Sequence, residues 1–300
     1  MWLLFAFLSA LLLGFYDAFK KQSLRGNAVL PVLFLNTIFS SLVFAPFILT
    51  SVAAPTLLQG SIFFVPQAPW QAHALILLKS FIVLSSWILG YFGMKHLPLT
   101  IVGPINATRP VMVLVGAMLI FGERLNLYQW VGVILAVASF FMLSRSGKKE
   151  GIDFKHNRWI LFIVLAAVMG AVSGLYDKYL MGQLPPMLVQ AWYNVYQVLI
   201  MGPIILLLWM PKRKQSTPFQ WRWTIVMISL FLSAADFVYF YALSLPESMV
   251  SVVSMVRRGS VVVSFLFGAW IFREKNLKSK AIDLILVLIG MFFLYLGSRS

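Results

Sequence analysis

Three arginines, Arg109, Arg257 and Arg258, stand deep inside long apolar runs of this 300-residue chain. Arg109 and Arg257 lie roughly ten residues into their runs, or about 15 Å at the helical rise of about 1.5 Å per residue. At that depth of hydrocarbon a guanidinium costs about 2.5–3.5 kcal/mol on insertion scales, so these side chains must face water or paired groups and not lipid. Their planar forks match the oxygens of a carboxylate or phosphate in a two-point contact, which makes them candidate binding groups for an anionic small molecule. A structural reading competes with this one. Buried charges are usually paired, and Asp17, Asp177 and Asp236 lie in other apolar runs, where they could lock helices together. Lys79 and Lys178 are expected nearer the ends of their runs, with the ammonium groups reaching the interface.

Asp236 is the first candidate for a proton-coupling or gating group, with a structural partnership to Arg257 or Arg258 as the alternative. Asp17 and Asp177, beside Tyr16 and Tyr176, are coupling or gating candidates too, or else helix-end pairs near opposite membrane faces. Tyr16, Tyr176, Trp192 and Tyr193 are candidate pocket-lining aromatics; the alternative is packing or an interfacial belt. The three histidines, His73, His96 and His156, are scattered, and no His, Cys or carboxylate set has metal-ligand spacing. No nucleophile lies beside a base in any recognisable pattern. The chain is therefore read as a non-enzyme with no cofactor and no metal.

The elements that must position these groups are membrane helices. The chain is 61% hydrophobic and 11% charged, against roughly 45–50% and 25% in a soluble domain. Apolar runs at 2–19, 29–50, 73–94, 99–121, 127–144, 159–180, 187–210, 223–244, 248–271 and 281–297 each approach the length that crosses a hydrocarbon layer of about 30 Å. The spacing predicts an all-α membrane protein of ten transmembrane helices, with a first repeat at 1–144, a charged linker at 145–158 and a second repeat at 159–300. Gly103, Pro104 and Pro110 flank Arg109 and should loosen the fourth helix there.

A net charge of +15 could signal nucleic acid, but its distribution says otherwise. Loops after odd-numbered helices hold seventeen of the 24 Lys and Arg residues, and loops after even-numbered helices with the C-terminus hold two. That bias places the odd loops in the cytoplasm and both termini outside, and it accounts for the charge through the lipid bilayer alone.

The two halves repeat each other. Gly14-Phe15-Tyr16-Asp17 corresponds to Gly174-Leu175-Tyr176-Asp177, Tyr91 and Pro98 to Tyr239 and Pro246, and Arg109 to Arg257. With five helices in each half, the second copy must be inverted relative to the first, and such repeats place a solute near the midplane between them. The run Gly122-Glu123-Arg124-Leu125-Asn126, followed by Gln129 and Gly132, resembles the motif that ends the first half of EamA-type carriers in the drug/metabolite transporter superfamily. Its bland physical reading is helix-end chemistry, with Asn126 and Asn276 as caps. Val256-Arg257-Arg258 with the following valines is locally similar to the basic pair of sugar-phosphate translocators. The resemblance implies a secondary carrier of a small anionic solute in a cell membrane, working by alternating access. A flippase for a lipid-linked anion and a proton-coupled exporter of amino acids or drugs are the alternatives, and a homodimer is compatible with either.

Overall fold

In hydrocarbon, a stretch of apolar chain can satisfy its backbone donors and acceptors only by coiling on itself, and this sequence does so along nearly its whole length. The computed structural model describes residues 2–121, 126–148, 154, 156–245, 253, 256–274 and 277–299. The helices of the first half are α1 (Trp2–Leu24), α2 (Val29–Ala53), α3 (Trp70–His96), α4 (Leu99–Ala107), α5 (Arg109–Phe121) and α6 (Leu127–Lys148). Those of the second are α7 (Arg158–Met181), α8 (Pro186–Ile204), α9 (Thr224–Ser244), α10 (Ser260–Trp270) and α11 (Leu277–Arg299). No strand occurs among the described residues. Among the described residues, six segments are long and apolar enough to cross a membrane: Val29–Ala53, Trp70–His96, Arg158–Met181, Pro186–Lys212, Thr224–Ala242 and Lys280–Gly297. Of the expected linker at 145–158, α6 takes the start through Lys148, while 149–153 and 155 lie outside the described residues. So do Gly122 to Leu125 of the resemblance motif, and Asn276.

The fourth and ninth apolar runs are both broken beside their arginines. Thr108 forms a turn between α4 and α5, one residue before Arg109, where Pro104 and Pro110 have removed backbone donors. In the second half residues 256–258 are helical, Gly259 turns, and α10 restarts at Ser260.

Contacts between the halves follow a two-fold pattern. α1 packs along α9 as α7 packs along α3; α10 crosses α1 as α5 crosses α7; α2 pairs with α8 and α6 with α11. The equivalent glycines face equivalent partners at different closeness: a Cβ at Gly14 would fall 2.3 Å from the Val263 side chain and clash, whereas one at Gly174 would sit 3.9 Å from Val113 in ordinary contact.

Side-chain bonds tie one set of loops together at one end of the molecule. Asn27 exchanges hydrogen bonds with the Gln220 backbone at 2.7 and 2.8 Å, Lys95 donates to Thr217 Oγ1 at 2.8 Å, and Arg222 donates to the Gln22 carbonyl at 2.6 Å. Lys21, just past the first apolar run, donates to the Met94 carbonyl at 2.8 Å and to that of Leu97. Burial pushes its ammonium down to about 8, opposed by Glu274. We call this the basic end. At the lysine-poor end, Gly60 to Pro66 meet Pro185, Pro186 and Ser244. α1 finishes and α7 starts at the basic end, so the first helices of the two halves run in opposite directions.

Glu274 belongs to the basic end and accepts from the backbone N–H groups of Leu99 at 2.6 Å and Thr100 at 2.8 Å, and from the Thr100 hydroxyl. It thereby caps α4 from the other half of the chain, supplying a carboxylate to donors that a helix start leaves open. Glu274→Ala is expected to lower stability by about 1–2 kcal/mol, the usual worth of a good cap. The thermal midpoint of the purified protein in detergent measures it.

Candidate functional site

A cavity of about 160 Å³ lies between the halves, walled by α1, α3, α4, α5, α7, α8, α9 and the broken segment at 257–261. Five basic side chains and three carboxylates line it: Lys20, Lys79, Arg109, Arg257 and Arg258 with Asp17, Asp177 and Asp236. Each carboxylate has its own cation. Asp17 accepts from Lys20 at 2.9 Å, one helical turn on, and from Ser264 of α10 at 3.1 Å. Asp177 of α7 pairs with Lys79 of α3. Asp236 of α9 pairs with Arg257 and accepts from the Tyr193 hydroxyl at 2.8 Å. Arg257 is held further by the Ser9 hydroxyl at 3.2 Å and lies over the Tyr239 ring at 4.1 Å.

Two guanidinium groups have no carboxylate in hydrogen-bond or ion-pair contact among the described residues, although Asp17 attracts both through space. Arg109 donates to Asn106 Oδ1 at 3.1 Å, and its Nε has no acceptor among the described residues. Arg258 makes neither a hydrogen bond nor an ion pair among the described residues, and it is repelled by Arg109 and Arg257. The lining therefore carries a surplus of positive charge in a place where an uncompensated charge is costly. An oxyanion entering the cavity would meet these two forks directly.

Arg109 is pressed against α7 where that helix has Gly170. A Cβ added there would lie 2.7 Å from the guanidinium carbon, so the close approach exists only because the side chain is missing. The guanidinium is the free end of a flexible chain and can swing aside without unfolding the helix. Gly170→Ala is accordingly expected to fold and to weaken anion binding roughly tenfold, equivalent to about 1.4 kcal/mol; isothermal titration against wild-type protein reads the change.

The structure brings together all six charged residues singled out from the sequence, with Tyr16 and Tyr193, and corrects several placements. Lys79 does not reach an interface. α3 begins at Trp70 rather than at residue 73, which puts Lys79 about 13 Å inside the helix, 3% exposed and facing Asp177. Asp17 and Asp177 are not helix-end interfacial pairs either, since α1 runs on to Leu24 and α7 to Met181 and both carboxylates reach the cavity wall. Tyr176 and Trp192 lie outside the lining. Tyr176 donates to the Leu75 carbonyl at 3.1 Å, and Trp192 packs edge-on against His73 at 4.9 Å, because each falls on a helix face turned from the cavity. The Lys178 side chain lies outside the described residues. Sequence reasoning passed over Lys20, Tyr91, Asn106 and Tyr239 as cavity residues. A signal existed for three of them: Lys20 follows Asp17 at helical spacing, and Tyr91 and Tyr239 are equivalent positions in the repeat. The equivalence has a physical counterpart, since Lys20 sits over Tyr91 at 5.2 Å as Arg257 sits over Tyr239.

Comparison with known proteins bears on the whole chain. The EamA-like transporter family model matches residues 1–145 and, a second time, residues 157–296. No curated protein matches the chain. One solved crystal structure superposes with a TM-score of 0.66 at 16% identity, over 99% of this chain and 97% of that one, a likeness that shows the fold alone.

Proposed function

The chain belongs to the EamA-like transporter family, and on that premise we propose that it carries a small anionic solute, bearing a carboxylate or a phosphate, across a cell membrane by alternating access. Membership makes it a multi-pass membrane transporter built from two repeats; the nature of the solute is our own reading. One observation carries it: among the described residues, Arg109 and Arg258 face the central cavity without a carboxylate in contact, while each of the three carboxylates there is already paired. A cationic or neutral solute would leave that surplus charge in place, whereas an oxyanion removes it. Arg257, held by Asp236, becomes the third binding group once the anion competes for it, which makes Asp236 a gating group. The pairs at Asp17 and Asp177 stand toward opposite ends of the cavity and gate it from the two sides.

Alternating access follows from a ten-helix, inverted-repeat arrangement, 1–144 against 159–300 across the linker. Opposite directions of α1 and α7, and the two-fold pattern of packing, support this arrangement. In carriers so built, one repeat rocks against the other about a solute at the midplane. The breaks at Thr108 and Gly259 lie where such a motion bends the fourth and ninth helices.

Thermal stabilisation of the purified protein by a panel of phosphorylated and carboxylated metabolites, followed by uptake of the best compound into sealed vesicles, tests the reading. Stabilisation by anions, lost on raising the salt, is expected. A response confined to cationic or uncharged compounds would refute it.

A further inference from the structure

A second polar feature runs beside the charged cavity. Gln190, Tyr193, Asn194 and Gln197 occupy positions i, i+3, i+4 and i+7 of α8 and so share one face. All four are buried, with Gln190 and Gln197 at 1% and 0% exposure. Among the described residues, both amide atoms of Gln190 and both of Gln197 lack hydrogen-bond partners, as do Asn36 Nδ2 and Ser40 Oγ on α2, the helix that packs against α8. Counted along antiparallel helices from their opposite ends, Ser40 and Gln197 fall at about the same depth, near the middle of the layer. Buried amides without partners in a membrane protein are tolerable where water reaches them.

The lysine-poor end has room for such water. A second pocket, of about 410 Å³, opens there, and its wall includes Gln190 but no charged side chain. Phe240 belongs to the walls of both pockets, with the Lys79 ammonium 5.2 Å from its ring on the cavity side. An anion is thus stopped by an aromatic wall and by the lack of any cation before it. From that end Gln190 precedes Tyr193 by one turn of α8, and the Tyr193 hydroxyl donates to Asp236 Oδ2 at 2.8 Å.

We propose that the amide face of α8 from Gln190 to Tyr193 is a proton-entry path that serves Asp236 from the lysine-poor end. A proton carried in on water from the lysine-poor side passes to the Tyr193 oxygen, leaving neutral water, as the hydroxyl proton of Tyr193 passes to Asp236 Oδ2. Tyrosine ends as it began, and the carboxylate becomes a neutral acid. Arg257 then loses its counter-ion and turns its fork to the solute. Release on the far side returns the proton from Asp236 to water, and the pair with Arg257 closes again. Resting on the anion-carrier reading, this couples one proton to each anion moved. The charged and titratable groups that share the cavity with Asp236 are Tyr16, Asp17 and Lys20 from α1, Lys79 and Tyr91 from α3, Arg109 from α5, Asp177 from α7, Tyr193 from α8, Tyr239 from α9, and Arg257 and Arg258 from the segment after α9. Among these, Asp177 is already engaged by Lys79.

The test uses purified full-length protein in sealed vesicles and two readouts. A rapid acid pulse at the lysine-poor side is followed by infrared absorption of protonated carboxyl groups, and inorganic phosphate serves as the anion probe. A carboxyl signal absent in Asp236→Asn is expected. Its rise should slow roughly tenfold or more in both Tyr193→Phe and Gln190→Leu, the scale on which a positioned proton relay matters, while phosphate binding in Gln190→Leu stays at the wild-type level. Wild-type rates in both variants, or no Asp236 signal at any pH, would overturn the proposal. If the signal behaves as described and phosphate neither binds nor enters, the proton path stands and the anion-carrier reading falls.

Discussion

Arg258→Met is expected to abolish detectable anion binding and, at the same time, to raise the thermal stability of the solute-free protein. The two effects have one cause. Arg258 faces the cavity with no hydrogen bond or ion pair among the described residues and with two other guanidinium groups repelling it. Methionine keeps most of the side-chain bulk and removes the charge, so the folded state sheds a desolvation cost without gaining a void. Binding suffers because truncating one partner of a desolvated charge pair typically costs about 2–4 kcal/mol, or roughly 30- to 700-fold in Kd.

Arg257→Met provides the contrast. That guanidinium is the counter-ion of Asp236 and is held by Ser9 as well, so its loss leaves a carboxylate buried with only the Tyr193 hydroxyl. Binding should fall as before, but the thermal midpoint should drop. Arg258→Lys should lie between wild type and Arg258→Met, because a lysine restores the charge but not the two-point fork. Denaturation midpoints with and without anion, measured on all three variants, decide the matter. If Arg258→Met is destabilised like Arg257→Met, then Arg258 has a structural partner and the surplus-charge reading is wrong.

The contrast also marks what an amino-acid sequence can convey about such a site. Helix positions were legible because a membrane imposes a length on apolar runs, and the runs at 29–50 and 223–244 became α2 and α9 with only small changes at their ends. The break before Arg109 was legible too, since Pro104 and Pro110 cannot continue a hydrogen-bond ladder. Its counterpart at Gly259 carried no such marker, being a turn at a lone glycine among valines and serines. Partner choice was not legible at all. Whether Asp236 meets Arg257 or Arg258 depends on the rotation of one helix against another by a fraction of a turn, and the apolar stripes that would fix rotation in water are missing where every face is apolar. Tyr176 and Trp192 were misplaced for the same reason. Lys79 was misplaced through three residues of helix length at Trp70, enough to turn a snorkelling lysine into a buried one.

The Lys79–Asp177 pair carries the largest stability effect expected in the molecule. Both groups are buried, on helices from different halves, with the ammonium also about 5 Å from the rings of Tyr193 and Phe240. Removing either partner alone leaves the other as an unpaired charge at depth, which costs about 3–5 kcal/mol. Lys79→Met and Asp177→Leu are therefore each expected to come close to unfolding a protein of ordinary stability. The double variant should recover most or all of the loss, because a buried ion pair and a well-packed apolar pair differ little in net contribution. A double-mutant cycle on denaturation midpoints gives the coupling directly. Transport should separate from stability in that cycle. If α3 and α7 must part at the lysine-poor end for the cavity to open, an apolar pair restores the fold but, with no charges for incoming water to solvate, holds the two helices closed. Recovered stability with lost transport would identify the pair as a gate. Recovery of both would make it a structural lock, and recovery of neither would mean that the two charges serve partners beyond each other.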